Sequence, residues 1–205
     1  MSAFTDLIQS RRSAMNFVEG VEIPQHEMEE MFSYARLAPS AYNLQHTNYK
    51  VISNESLKEE IRKAAYGQYK IHSASAVIVV LGDKNAYLHA PEIYGGLKAL
   101  GAMTQEAYDA EIEMINNAYT GNDAFQHDEA IRNASLSAMH FMLIAKDKGW
   151  DTCPMIGFDP EAIKNILSLP ENMVPVMLIT IGKDKKHKIR PRGYRKPVNE
   201  FVEFI

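Results

Sequence analysis

Residues 75–83 read SAVIVVLGD, and no other run limits the fold as strongly. Positions 76–81 are all apolar and mostly β-branched, with no polar alternation. That pattern belongs to a strand covered on both faces, because a half-exposed strand alternates apolar with polar residues. Residues 172–182, NMVPVMLITIG, read as a second buried strand. Both apolar runs are far shorter than the roughly 20 residues a membrane helix needs. A strand buried on both faces needs other elements packed on both sides of its sheet.

The helical patterns supply that cover. Residues 5–13 form a short helix capped near Thr5 or Ser2. In residues 23–38, Pro24 sits near a helix start, and Met28, Met31, Phe32 and Ala35 share one face. Pro39 ends that helix, since the residue before a proline avoids the α region. Residues 49–53 are strand-like, and residues 55–67 form an amphipathic helix stopped by Gly67. Residues 95–121 are helical in composition. Residues 128–149 form a long helix capped by Asp128 or Asp123 and stopped by Gly149; its apolar and small residues run almost all round, which predicts deep burial. No clear strand falls between Gly82 and Met173, so the rhythm of about 30 residues per βαβ unit is missing. The class is α/β or α+β, in one domain over residues 1–205.

Composition and motifs exclude several functions. A net charge of −4 argues against nucleic-acid binding by the chain as a whole. The opening residues lack the apolar core of a signal peptide, and the single Cys153 suits a reducing compartment, so a cytoplasmic protein without a membrane partner is expected. Eleven methionines suggest adaptable packing in a core or around a pocket. Neither GxGxxG nor GxSxG occurs. Residues 96–103 have the glycine spacing of a P-loop without its Lys and Ser/Thr, and HEMEE (26–30) has Glu30 where a zincin has its second histidine. The histidines form no i, i+4 pair, so no metal is expected.

Four segments remain. SRRSAMNF (10–17) places two arginines and a serine at a helix end, and LAPSAYNLQH (37–46) runs from a helix toward a strand. DTCPMIGF (151–158) is small and apolar, and RPRGYRKP (190–197) holds three arginines and a lysine. Guanidinium and hydroxyl donors suit a phosphate, amide side chains suit a pyrimidine-like ring edge, and a Pro/Gly loop lets backbone N–H groups approach a flat ring. A phosphorylated, flat, polar heterocycle such as flavin mononucleotide (FMN) fits these groups together.

With those residues, the sequence resembles the FMN-dependent nitroreductase family nearly end to end. RRS…F, APSAYNLQ, ASAVIVVLGD, GWDTCPMIGFDPEAI, LPENMVPVMLITIG and RPRGYRKPV occur in the family's order. The resemblance implies an α+β sandwich: a central mixed, mainly antiparallel sheet flanked by helices, in an intertwined homodimer with two FMN sites at the subunit interface. It implies that Arg11, Ser13, Arg195 and Arg192 hold the phosphate, with Arg12 near the ribityl chain or ring. Ser40, Asn43 and Gln45 would come from the other subunit. Gln68 and Lys70 would approach the pyrimidine edge, and Pro154, Met155, Ile156 and Gly157 would lie along the ring. The implied activity is ping-pong: NAD(P)H reduces FMN and leaves, and a nitroaromatic or quinone acceptor takes its place, with no side-chain acid or base required. Two departures stand out. Met15 replaces a frequent Lys or Arg, with Lys70 the candidate substitute cation, and His46 and Thr47 replace a frequent Pro-Trp pair.

Each piece also has a plainer reading. Arg11 and Arg12 suit helix C-terminal carbonyls, Ser40 and Asn43 suit a turn, Gln68 and Lys70 suit a solvated surface, and Cys153 suits a small buried position. Two other functions compete with nitro or quinone reduction. One is a flavoenzyme of the same fold with specialised chemistry (dehalogenation, flavin cleavage, metabolite oxidation), for which residues 85–127 could form a substrate lid. The other is a non-enzymatic flavin-binding sensor or interaction module.

Overall fold

The structure is a computed structural model and describes residues 2–185 and 192–205. Its four strands are β1 (Thr47–Ile52), β2 (Ala76–Asp83), β3 (Asp151–Met155) and β4 (Met173–Gly182). They form one sheet in the order β1-β2-β4-β3, antiparallel at every pairing. Among the described residues, the expected mixed character is confined to one parallel bridge between Ser13 and Thr152. All eight residues of β2 are buried, as the apolar run requires.

Helices α1 (Ala3–Ser10), α2 (Gln25–Ala35), α3 (Glu55–Ala64), α4 (Tyr69–Ser73), α5 (Ala90–Ala99), α6 (Gln105–Tyr119), α7 (Asp123–Asp147) and α8 (Pro160–Leu167) surround the sheet. On one face, Met28 and Met31 of α2 and Ala134, Ala138 and Phe141 of α7 pack on Ile78, Val80, Ile179 and Ile181. On the other, Ile61 of α3 and Ile163 of α8 pack on Val77, Val79, Leu81 and Leu178. Each large side chain so buried is worth roughly 1.5–3 kcal/mol. The fold is α+β, with helices on both faces of an antiparallel sheet. A Cβ on Gly82 would lie 2.5 Å from the Ala130 carbonyl oxygen, so this glycine lets α7 cross β2 in direct contact.

Several sequence expectations are corrected. α2 ends at Ala35, four residues before Pro39, through a turn over residues 36–38. α7 is capped by neither Asp123 nor Asp128: the Asn122 side chain accepts from the Phe125 N–H. α7 is also buried on one side only, since Leu136 and Met139 remain 47% and 43% exposed. A strand does lie between Gly82 and Met173, namely β3. It is an edge strand, so Pro154 can sit in it opposite Ile179 and turn its missing donor outward. Residues 95–121 divide between α5 and α6. These form a hairpin with a small core of its own, including Ala86, Ala90, Ile115 and Tyr119.

Candidate functional site

Two separate groups of expected site residues emerge from this fold. The first gathers at the β3 edge. Arg11 is the C-cap of α1, and its N–H donates to the Leu7 carbonyl. Just beyond it, Ser13 bridges Thr152, and the Ala14 N–H donates to the Thr152 carbonyl at 3.0 Å. The C-terminal segment reaches the same corner: Arg192 Nη2 donates to the carbonyls of Gln9 and Arg11. Arg195 folds onto the carbonyls of Gly193 and Tyr194. Burial first, and then the charges of Arg192 and Arg195, pull the Arg11 pKa below its usual value, with Cys153 opposing them. Three guanidiniums from opposite chain ends therefore feel one another. A gathering of like charges is favoured by an anion held between them, and guanidinium is suited to phosphate. Arg190 lies outside the described residues.

Lys70 and Gln68 join this corner from α4 and its N-cap. Lys70 Nζ lies 3.5 Å from Cys153 Sγ, and Gln68 Nε2 donates to the Gly157 carbonyl at 2.8 Å. The Asp159 N–H donates to the Ala64 carbonyl, which fastens the loop after β3 to the end of α3. Arg12 is exposed on the surface. Ile156 is 83% exposed, whereas the Met155 side chain is buried in the core, so Met155 offers this edge only its backbone. Pro154 is half-buried between them.

The second group is Ser40, Asn43 and Gln45, in the loop entering β1. Ser40 Oγ accepts from the Gln45 N–H at 3.1 Å, and Gln45 Nε2 donates to the Asn43 carbonyl. Tyr42, Asn43 and Gln45 have φ of 51, 53 and 53°, a left-handed conformation costing of the order of 1 kcal/mol or more for each non-glycine residue. Surrounding bonds hold that geometry. Asn133 Oδ1, on α7, accepts from the Ala41 N–H at 2.8 Å, while its Nδ2 donates to the carbonyl and carboxylate of Glu129. Arg132 pairs with that carboxylate. An open groove of about 450 Å³ runs from Ser40 and Gln45 past Tyr49 and Ser137.

The sheet register separates the two groups. Thr47 lies opposite Gly82, at one end of β2. Thr152 lies opposite Ile181, which lies opposite Ala76 at the other end of β2. The offset is roughly 20 Å along the strands and roughly 14 Å across three strand spacings. Within one chain the Thr152 end of the first group lies diagonally across the sheet from the loop, whereas Met155, level with Leu178 and Val79, lies nearer the Gly82 end.

Asn133 and Glu129 support the loop and were not expected from the sequence, while Tyr119, within the 85–127 segment considered as a lid, lies in the hairpin core. The available signal was a buried asparagine in an otherwise apolar and small-residue helix, because a buried amide needs a partner. His46, at the end of the loop, is fully buried, and its Nε2 lies 3.3 Å from the Tyr119 hydroxyl. Burial lowers its pKa to about 4, against an opposing pull from Asp83.

Comparison with known proteins follows the same lines. MhqN of Bacillus subtilis (strain 168), whose name proposes an NAD(P)H nitroreductase, is 55% identical over 206 residues, covering 100% of both chains. The crystal structure of ydfN from Bacillus subtilis, described as a proposed nitroreductase, has a TM-score of 0.95 at 54% identity, covering 98% of each chain. A proposed nitroreductase from Exiguobacterium sibiricum 255-15, solved in complex with FMN, has a TM-score of 0.89 at 30% identity, covering 100% of this chain and 98% of that one. Residues 8–183 match the model described as the Nitroreductase family, and the chain belongs to that family.

Proposed function

We propose that the protein is a cytoplasmic, FMN-dependent oxidoreductase that uses NAD(P)H to reduce nitroaromatic, quinone or related small-molecule acceptors by a ping-pong cycle. The observation that carries this reading is the convergence of Arg11, Arg192 and Arg195 beside β3, where Arg192 reaches the carbonyls of Gln9 and Arg11, and burial first and the two neighbouring guanidiniums second lower the Arg11 pKa. When bound, FMN would supply the hydride chemistry, taking reducing equivalents from NAD(P)H and passing them to the acceptor.

The chain's own residues bind, orient and shield. Arg11, Ser13, Arg192 and Arg195 hold the phosphate, and Arg12 lies toward the ribityl chain. Gln68 fixes the Gly157 turn, so the backbone of residues 154–157 can lie along the ring. Lys70, 3.5 Å from the Cys153 sulfur, places an ammonium beside that same strand. Met15, 54% exposed, offers no charge, so Lys70 would supply the cation beside the ring.

Ser40, Asn43 and Gln45 complete the site from a second copy of the chain. The offset between the arginine end of the site and the loop within one chain supports this. The apolar surface supports it too: Leu136 and Met139 on α7, and Phe201 and Phe204 near the C-terminus, are exposed in the single chain.

The visible spectrum of the purified protein tests the reading. Expected is a yellow protein that NADH or NADPH bleaches without oxygen and that a nitroaromatic or quinone re-oxidises. A chain that takes up no FMN, or a flavin reduced only by dithionite, contradicts it.

A further inference from the structure

The hairpin of α5 and α6 has a small core that reaches out of the hairpin toward the loop before β1. Leu44 is buried with Ala86, Ala90, Ile115 and Tyr119, and Tyr42 packs against them. Among the described residues, no strand residue belongs to that core. Polar contacts follow the same route. The Tyr94 hydroxyl donates to the Tyr42 carbonyl at 3.0 Å, and the Tyr119 hydroxyl lies 3.3 Å from His46 Nε2. Tyr87 stacks on Tyr119 with ring centroids 5.3 Å apart. His46 joins two bodies: its carbonyl accepts from the Asp83 N–H of β2 at 2.8 Å, while its ring enters the hairpin core. That ring is fully buried, and its Nδ1 has no hydrogen-bond partner. A contact with half its polar capacity unmet is weaker than the ladder beneath it. Other ties of the hairpin and loop run to α7, through the Phe125 ring 4.9 Å from Tyr119, Gln126 on the Tyr119 carbonyl and Asn133 on the Ala41 N–H. A satellite core with few ties is the kind of unit that can open separately from the main fold.

We propose that residues 40–46 and the α5–α6 hairpin move as one body, latched by His46 and Tyr119, so that seating the hairpin positions Ser40 and Asn43 for the flavin of the partner chain. His46 and Tyr119 are positioning residues, since neither needs to touch the cofactor. The flavin half of the statement rests on the function proposed above; the mechanical half does not.

The test is hydrogen–deuterium exchange on the full-length protein, with and without FMN, comparing wild type with Tyr119→Phe and His46→Gln. Tyr119→Phe keeps the buried ring and removes only the hydroxyl. Expected is faster exchange of residues 40–46 and 105–119 by a common factor, with β2 and β4 unchanged. FMN affinity should fall about fivefold, the size of one lost hydrogen bond. His46→Gln, which can still bond the Tyr119 hydroxyl, should stay closer to wild type in both readouts. Faster exchange in α6 with residues 40–46 unchanged overturns the single body. Joint acceleration with unaltered FMN affinity overturns the positioning role. A wild-type chain that binds no FMN instead strikes the proposed function, and exchange in the flavin-free protein still decides whether the loop and hairpin move together.

Discussion

The arginine corner beside β3 and the loop entering β1 are built in opposite ways. The corner is held by a backbone bridge between Ser13 and Thr152 and by the Arg192 guanidinium donating to main-chain carbonyls. The loop holds three left-handed non-glycine residues in place through side chains from α7 and the hairpin. It also ends on a buried, neutral histidine. In the site proposed above, the first half would supply charge and the second polar edges.

Acid should separate the halves most clearly. Folded His46 titrates near 4, against about 6.5 when unfolded, so between these values the unfolded chain takes a proton that the folded chain refuses. Its contribution to stability is complete above pH 6.5 and is lost as pH falls toward 4, at most by about 3 kcal/mol. Asp83 on β2 opposes the shift, and the neutral Tyr119 faces the ring from α6. Denaturation across this pH range should show a slope that His46→Gln flattens, whereas substitutions in the arginine corner leave it intact.

Charge tests the other half. Arg195→Ala should weaken FMN binding by about 2 kcal/mol, or roughly thirtyfold, with little change in thermal midpoint. Titration by flavin fluorescence checks this, and unchanged affinity removes Arg195 from the phosphate site. Asn133→Ala should cost stability instead, about 1.5 kcal/mol, because it strands the Ala41 N–H and leaves the Glu129 carboxylate with Arg132 alone among its named side-chain partners. The loss would be read as a lower denaturation midpoint accompanied by weaker FMN binding. The smallest change belongs to Lys70→Met. It should make the bound flavin harder to reduce, seen as a more negative midpoint potential in spectroelectrochemistry, while the fold is preserved.

The sequence made some of this legible and hid the rest for physical reasons. β2 and β4 were plain because strands buried on both faces read as unbroken apolar runs. β3 was hidden because a five-residue edge strand containing Pro154 carries neither alternation nor a long apolar run. The arginines could be recognised as phosphate donors, yet their meeting depends on contacts such as Arg192 to Gln9, 183 residues apart. His46 had no local explanation, since its partner Tyr119 lies 73 residues away. The diagonal placement of the arginine end and the loop follows from strand register, which no local motif encodes.

Mixed-chain complementation tests most directly whether the site is shared between two chains. One chain would carry Arg11→Ala and Arg195→Ala with its loop intact, and the other Ser40→Ala and Asn43→Ala with its corner intact. If each site joins the corner of one chain to the loop of the other, the purified heterodimer has one fully native site and one doubly damaged site. The expected titration is therefore one FMN per dimer bound with wild-type affinity. Two weakened sites, with none of wild-type affinity, would show that each chain builds its site alone.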